Sequence, residues 1–539
     1  MKKELSLLVV CGLVLLFLVG CSPSATPAAD ADNILRVGNG AEPQELDPQI
    51  VTGIPEQRLT STLFEGLVDA DPETLDPIPG AAESWTMSED GTQYIFRLQP
   101  NGRWSNGDPV TAQDFVYSWR RILTPGLASE YAYMLYCLKN AEAYHAGDTD
   151  DFSQVGVRAL DDRTLEVTLE SPTPYFLSMQ THHAWFPVHP PTIEAFEAQS
   201  RRGTKWTQPE NIVGNGAFVL QEWSPNRVIR VVKNTVYWNA GAVRLAGIEF
   251  YPIDDVNAEE RAFRSGKLHL TESIPHSKVP VYREKDPELL HVDPYLATYF
   301  YRFEVTTPPL DDVRVRRALS MAIDRTAVVE NILKGGQRPA YCLTPPNTAG
   351  YSCQSAIKED PDQARALLAE AGYPNGEGFP PIELLYNTSE NHRLIAEALQ
   401  QMWKKELGIA VNLLNQDWKV LLSTMNSRNY QMIRSSWVAD YNDPVNFLEC
   451  FTSMNGNNRT GYANPRYDRL IEKARQTTDR AERNALHQEA ETILLEDSPI
   501  LPVYFYTRVY LLSSEVKGWH ANPLGYISFK SLYLEPAAQ

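Results

Sequence analysis

The segment from Ile382 to Leu413 limits the possible folds more than any other. Ile382 and Leu384 alternate with their neighbours in PIELLYN, and Ile409, Val411 and Leu413 alternate again in IAVNLLN. Between them Ile395, Ala398, Leu399 and Met402 recur at helical spacing. A period of two, then of 3.6, then of two reads as strand, helix, strand. Such a unit closes into a parallel pair through a right-handed crossover. The chain is therefore expected to be α/β. Asn387 and His392 fall in the strand-to-helix connection, at the carboxyl end of the sheet, where open α/β sheets collect ligands.

A second stretch, YQMIRSSWVADYNDPVNF from Tyr430 to Phe447, begins as a strand and carries Arg434, Trp437 and Asp440 in close succession. Tyr441-Asn442-Asp443-Pro444 is a turn signal that ends the strand after the acid. Two readings stand side by side: Asp440 faces a crevice, or it caps a surface turn.

The chain has 539 residues, which suggests about three or four domains rather than one core. Its 43% hydrophobic and 22% charged content is that of a globular protein. A net charge of -19 and the lack of a basic run argue against a nucleic-acid partner. Lys2 and Lys3 precede an apolar run from Leu5 to Gly20, and Cys21 follows at once. That is the layout of an export signal, and it is short for a spanning helix. Leu18-Val19-Gly20-Cys21 resembles a bacterial lipobox, which implies lipid attachment at Cys21. The small, polar, Pro-containing residues after it read as a tether. Of the remaining cysteines, Cys342 and Cys353 bracket one loop and are the expected pair, and no Cys or His spacing suggests zinc.

Along the rest of the chain, Ile34-Leu35-Arg36-Val37 and Tyr94 to Leu98 read as strands, as do Leu165 to Leu169 by alternation. Thr111 with Asp114 is close to a capping box for a helix carrying Phe115, Trp119 and Ile122 on one face. Residues 203–294 read as strand-rich. Asp312 is placed to cap a helix through Ile323. Two helical runs, from Tyr467 and from Ala481, lead to the apolar stretch Ile500 to Tyr506.

Enzyme signatures are lacking: there is no phosphate-cradling Gly loop, no GxSxG and no HExxH. His182, His183 and His189 cluster among Trp185, Phe186 and prolines, which favours a loop packed on aromatics over a metal site. Asp443 is assigned to turn chemistry. With 26 Tyr and 11 Trp, an aromatic-rich cleft is available, though core packing accounts for most of them.

The pieces LFEGL, PGAAESW, RWSNGDPVTAQDFVYSWRR, KWTQPENIVGNGAFVL, RVRRALSMAIDR, LLYNTSENH, WVADYNDPVNFL and PVYFY stand in this order along the mature chain. Together they resemble the peptide-binding lipoproteins of ABC importers, solute-binding family 5, and among them the oligopeptide-binding proteins. The resemblance implies an α/β clamp of the type II periplasmic class, two lobes plus an additional domain. It divides the chain into a signal peptide (1–20), lipidated Cys and tether (21–33), domain I (34–66, 191–298 and 508–539), domain II (67–190) and domain III (299–507).

It also implies roles, residue by residue. Asp440 pairs with the α-amino group of a peptide, and Trp437 forms part of the cleft wall. The backbone near Ser436 and Val438 takes the peptide as an added strand, which gives affinity without sequence preference. Glu56 contacts the peptide from domain I. His392 and Arg434 receive the C-terminal carboxylate of shorter peptides, Arg434 as a planar donor. Asn387 joins them at the strand end, and Tyr131 and Tyr506 match cleft tyrosines. No cofactor, metal or catalytic residue is implied. The implied partners are a short peptide, the transmembrane subunits of an ABC permease, and a membrane reached through the N-terminal lipid. The protein itself is expected to be monomeric, exported and anchored to the cell envelope.

Two departures qualify the match. Leu333 stands where related proteins carry a lysine for longer peptides, with Lys334 adjacent. Ala297 and Val438 replace a disulfide. Within the family, receptors for dipeptides, a cell-wall peptide, haem or a nickel complex are the alternatives. Outside it, the rival is a hydrolase using Asp440.

Overall fold

The computed structural model describes residues 33–535; the signal segment, Cys21 and the tether up to residue 32 lie outside the described residues. Three larger sheets organise them. The largest has six strands in the order Arg338–Pro339, Ile500–Leu511, Leu290–Phe303, Met432–Val438, Ile382–Asn387, Val411–Gln416. Its last two strands are the anticipated βαβ pair: Ile382 lies beside Val411 and Asn387 beside Gln416, parallel, joined by helix Glu390–Leu407. Gly408 ends that helix at φ +72°, where a Cβ would collide with the Asn375 carbonyl. One refinement concerns the connection. Asn387 is the last residue of its strand and His392 belongs to the first turn of the helix, so both are held by regular structure rather than by a loop.

Strand alternation sorts the side chains of this sheet onto two faces. On one, Tyr301, Leu384, Met432 and Leu501 pack against Leu319, Ile395, Leu399 and Trp403. On the other, Leu385 and Ile433 meet Leu421 and Met425 of helix Trp418–Asn426. Covering both faces is what a sheet with parallel strands requires.

A four-stranded sheet combines Ile34–Gly38 with Gly247–Tyr251, Val228–Lys233 and Phe218–Ser224, the first pair parallel and the others antiparallel. Residues 203–294 are thus less uniformly extended than their pattern suggests, because they also hold helices Val256–Arg264 and Val279–Lys285. A second four-stranded sheet, antiparallel throughout, runs Ala82–Met87, Gln93–Leu98, Thr164–Thr168, Val157–Asp161. Helix Ala112–Leu123 packs beside it with Phe115, Trp119 and Ile122 buried, and the capping box of Thr111 and Asp114 closes its start. Among the described residues no helix is long and apolar enough to cross a membrane.

Candidate functional site

The centre of the site is a strand with one unused edge. Met432–Val438 pairs along its whole length with Leu290–Phe303, but its other side pairs with Ile382–Asn387 only at Met432 and Ile433. From Arg434 onward that second edge faces a cavity of about 410 Å³, within the range of ligand pockets. Ala439 N donates to Leu296 O (2.8 Å) and Glu304 N to Gln431 O (3.0 Å). In an antiparallel pair every second residue bonds across, so the odd-numbered residues face the Leu290–Phe303 strand. Ser436 and Val438 therefore direct their N–H and C=O groups into the cavity.

Asp440 closes one end. Its side chain is 7% exposed and contacts two polar neighbours: His182 Nε2 at 3.3 Å from Oδ1, and Asn446 Nδ2, which donates to Oδ2 at 3.3 Å. No lysine or arginine reaches it among the described residues. Asn446 is fully buried and its Oδ1 accepts both the Asp440 N–H and the Trp437 indole N–H, each at 3.0 Å. One amide thus fixes the acid and the aromatic wall together. Tyr131 packs 4.5 Å from the His182 ring and 6.3 Å from Trp437, centre to centre. Burial, and then the Asp440 charge, hold its hydroxyl proton well above the usual range.

Arg434 lies toward the other end. Its guanidinium stacks 4.9 Å over the Tyr299 ring, donates to Tyr506 Oη at 2.8 Å and reaches Asn387 Oδ1 at 3.4 Å. Among the described residues the Arg434 Nε has no acceptor. His392 sits 5.7 Å from Tyr299, ring to ring. Burial, then the Arg434 charge, keep its imidazole well below the usual range and hence neutral.

Asp440, Trp437, Arg434, Ser436, Val438 and Tyr131 all line the cavity. Glu56, Asn387, His392 and Tyr506 stand behind that lining. Glu56 is buried in helix Ile54–Leu63, and its Oε1 accepts from Gln44 N (2.7 Å) and from the Trp418 indole (3.4 Å). Its Oε2 has no partner among the described residues, and burial pushes its carboxyl up to about 7.

The structure adds His182, Asn446, Tyr299 and Trp418 to the site, residues to which the sequence assigns no ligand role. Asn446 lies inside the WVADYNDPVNFL piece, so the signal was present. His182 was grouped with His183 and His189 as packing, which fits its neighbours. His189 bonds elsewhere, to Thr192 and Asp108, and His183 to Pro48 O, so the three do not converge.

Leu333 is fully buried in the core and Lys334 is exposed; neither lines the cavity. Ala297 and Val438 are direct cross-strand partners, the placement a crosslink would need. Cys342 and Cys353 do come together, with Glu491, within 4.8 Å, but as free thiols.

The family profile described as bacterial extracellular solute-binding proteins, family 5 Middle, matches residues 76–459. The chain belongs to this family. The periplasmic oligopeptide-binding protein OppA of Escherichia coli (strain K12) is 38% identical over 530 residues, covering 95% of this chain and 94% of that protein. Haemophilus influenzae OppA, solved in complex with RPPGFSPFR, superposes with a TM-score of 0.89 at 34% identity, over 93% of this chain and 99% of that one. The Escherichia coli murein tripeptide binding protein MppA superposes at 0.88 in one structure (38% identity, 93% and 98% coverage). Its unliganded open form reaches only 0.61 (38% identity, 93% and 97% coverage). At the same sequence identity, the structure thus superposes better on the first MppA structure than on the unliganded open form.

Proposed function

We propose that this protein is an extracytoplasmic receptor that encloses a short peptide between its lobes and passes it to an ABC permease. The observation that carries the reading is the pairing of a buried carboxylate, with no lysine or arginine partner among the described residues, with a free strand edge in the same cavity. A charge held that far from water needs a counter-ion, and a peptide supplies both an ammonium and a backbone that continues the sheet. In this reading Asp440 binds the α-amino group and the Ser436 and Val438 backbone aligns the chain. Arg434, held by Asn387 and Tyr506 beside neutral His392, attracts the terminal carboxylate. Trp437 and Tyr131 form the wall, and Glu56 with Trp418 braces the closed lobes.

In this reading the peptide leaves intact. Domains I (34–66, 191–298, 508–539), II (67–190) and III (299–507) are the proposed units of the clamp, exported and anchored through Cys21, acting as a monomer. Native mass spectrometry of the purified protein tests the reading directly. A co-purified short peptide, and added peptides recovered intact with a raised melting temperature, are the expected result; cleaved peptides, or no peptide binding by calorimetry, overturn it.

A further inference from the structure

The cavity contains a second electrostatic imbalance, opposite in sign to that of Asp440 and on the other face of the sheet from Arg434. Tyr301 is the cross-strand partner of Arg434, and Arg302 that of Ile433. Alternation therefore puts Arg302 on the face of Ile433, Ser435 and Trp437. There its Nε–H donates to Ser435 Oγ (3.0 Å) and its Nη1 to Asn457 O (2.7 Å). Arg459 lines the same part of the cavity. Among the described residues its buried Nε and Nη2 have no acceptor, and its Nη1 finds only the Met425 sulfur at 3.6 Å.

Arg302 is 1% exposed and Arg459 7%. Neither forms an ion pair with a carboxylate among the described residues. The acids close by are already engaged, Glu130 with Arg202 (3.0 Å) and Asn426 (3.1 Å), Glu304 with Arg428 (2.9 Å). Burial, and next the charge of Arg459, weaken the hold of Arg302 on its proton, to about 10. Two buried guanidiniums facing one space form a costly arrangement unless an anion enters it, and their planar donor sets match a carboxylate.

We propose that Arg302 and Arg459 form a carboxylate subsite of the cleft that takes the side chain of an aspartyl or glutamyl residue in the bound peptide. This rests on the peptide-receptor reading above. A peptide extended from Asp440 toward Arg434 alternates its side chains between the two faces as the strand does. Its terminal carboxylate goes to the Arg434 face, which leaves the Arg302 face to a side chain.

Calorimetry with Ala-Glu-Ala, Ala-Gln-Ala, Ala-Ala-Glu and Ala-Ala-Gln tests the subsite. At least one glutamyl peptide is expected to bind tenfold or more tightly than its glutaminyl isostere, a preference that persists when both carry a C-terminal amide. In Arg459→Met that ratio is expected to fall to about one. Equal affinity of the glutamyl and glutaminyl peptides for the unaltered protein overturns the proposal, and needs no variant to fold. So does an Arg459→Met loss that follows the C-terminal carboxylate instead of the side chain. If none of the four binds, the receptor reading fails as well, an outcome distinct from equal, measurable binding.

Discussion

Nε2 of His182 stands 3.3 Å from Oδ1 of Asp440, and the backbone N–H of Ala184 donates to Nδ1 of the same imidazole at 3.2 Å. With Nδ1 accepting, the bond network places the ring proton of a neutral imidazole on Nε2. Asp440 is thereby held by dipoles, from His182 and Asn446, which position it and leave its negative charge unmatched. The relationship joins two distant parts of the chain and leaves that charge for a ligand.

Replacing Asp440 by Asn keeps the shape and removes the charge. Truncating one partner of a buried charge pair costs about 2–5 kcal/mol, so affinity for a free-amine tripeptide should fall roughly thirtyfold or more. N-acetylated peptides are expected to bind the unaltered protein weakly and to lose little further in the variant. Calorimetry on both peptide sets checks this; an unchanged affinity for the free-amine set would remove Asp440 from its assigned role.

Asn446→Ala acts through positioning. It strands the Trp437 indole N–H and the Asp440 N–H, both of which donate to the Asn446 Oδ1. Each buried orphan costs about 1–3 kcal/mol. For the two together, urea unfolding should show a loss of about 2–6 kcal/mol, along with weaker peptide binding; unchanged stability and binding would remove Asn446 from its positioning role.

What the sequence disclosed follows a physical division. The βαβ unit, the free strand and the Thr111 capping box rest on local periodicity and turn chemistry, and all were legible. The Arg434, Trp437 and Asp440 cluster was legible as a group because the three fall within seven residues at the end of one strand, while their separate roles came with the family resemblance. His182 and Trp418 were not legible, because their significance depends on contacts between residues far apart in the chain: one lies beside Asp440 and the other against Glu56. Helices Val256–Arg264 and Val279–Lys285 were hidden for another reason, being short amphipathic segments among stronger strand signals. Arg302 is indistinguishable in sequence from any arginine in a strand; only its missing counter-ion distinguishes it.

Glu56 makes stability depend on pH. Burial raises its carboxyl from the usual 4.5 to about 7. Between those values the folded state holds a proton that the unfolded chain has released, so stability falls as pH rises through the window. The full effect is on the order of 3 kcal/mol. Partly buried His276, lowered by desolvation to about 4, acts in the opposite direction below about 6.5, so the difference between the unaltered protein and Glu56→Gln is the quantity to follow. Melting temperatures across pH 5 to 8 should show the Gln variant gaining on the unaltered protein as pH rises; parallel curves would contradict a buried, protonated Glu56.

The free edge of Met432–Val438 makes the final prediction one of backbone rather than side chain. Ser436 and Val438 direct N–H and C=O groups into the cavity, as the register with Leu290–Phe303 requires. A peptide that pairs there presents its own amides to those carbonyls. Methylating one such amide removes a donor and leaves a buried acceptor unpaired, a cost of about 1–3 kcal/mol, or roughly fivefold to a hundredfold in affinity. A set of alanine tetrapeptides, each N-methylated at one internal amide, should therefore bind unevenly, with the amides facing Ser436 and Val438 the sensitive ones. Alternation of the strand makes neighbouring amides point away from that edge and tolerate the methyl group. Uniform tolerance across the set would mean that the peptide is held by its ends alone, through Asp440 and Arg434, and that the open strand edge takes no part in binding.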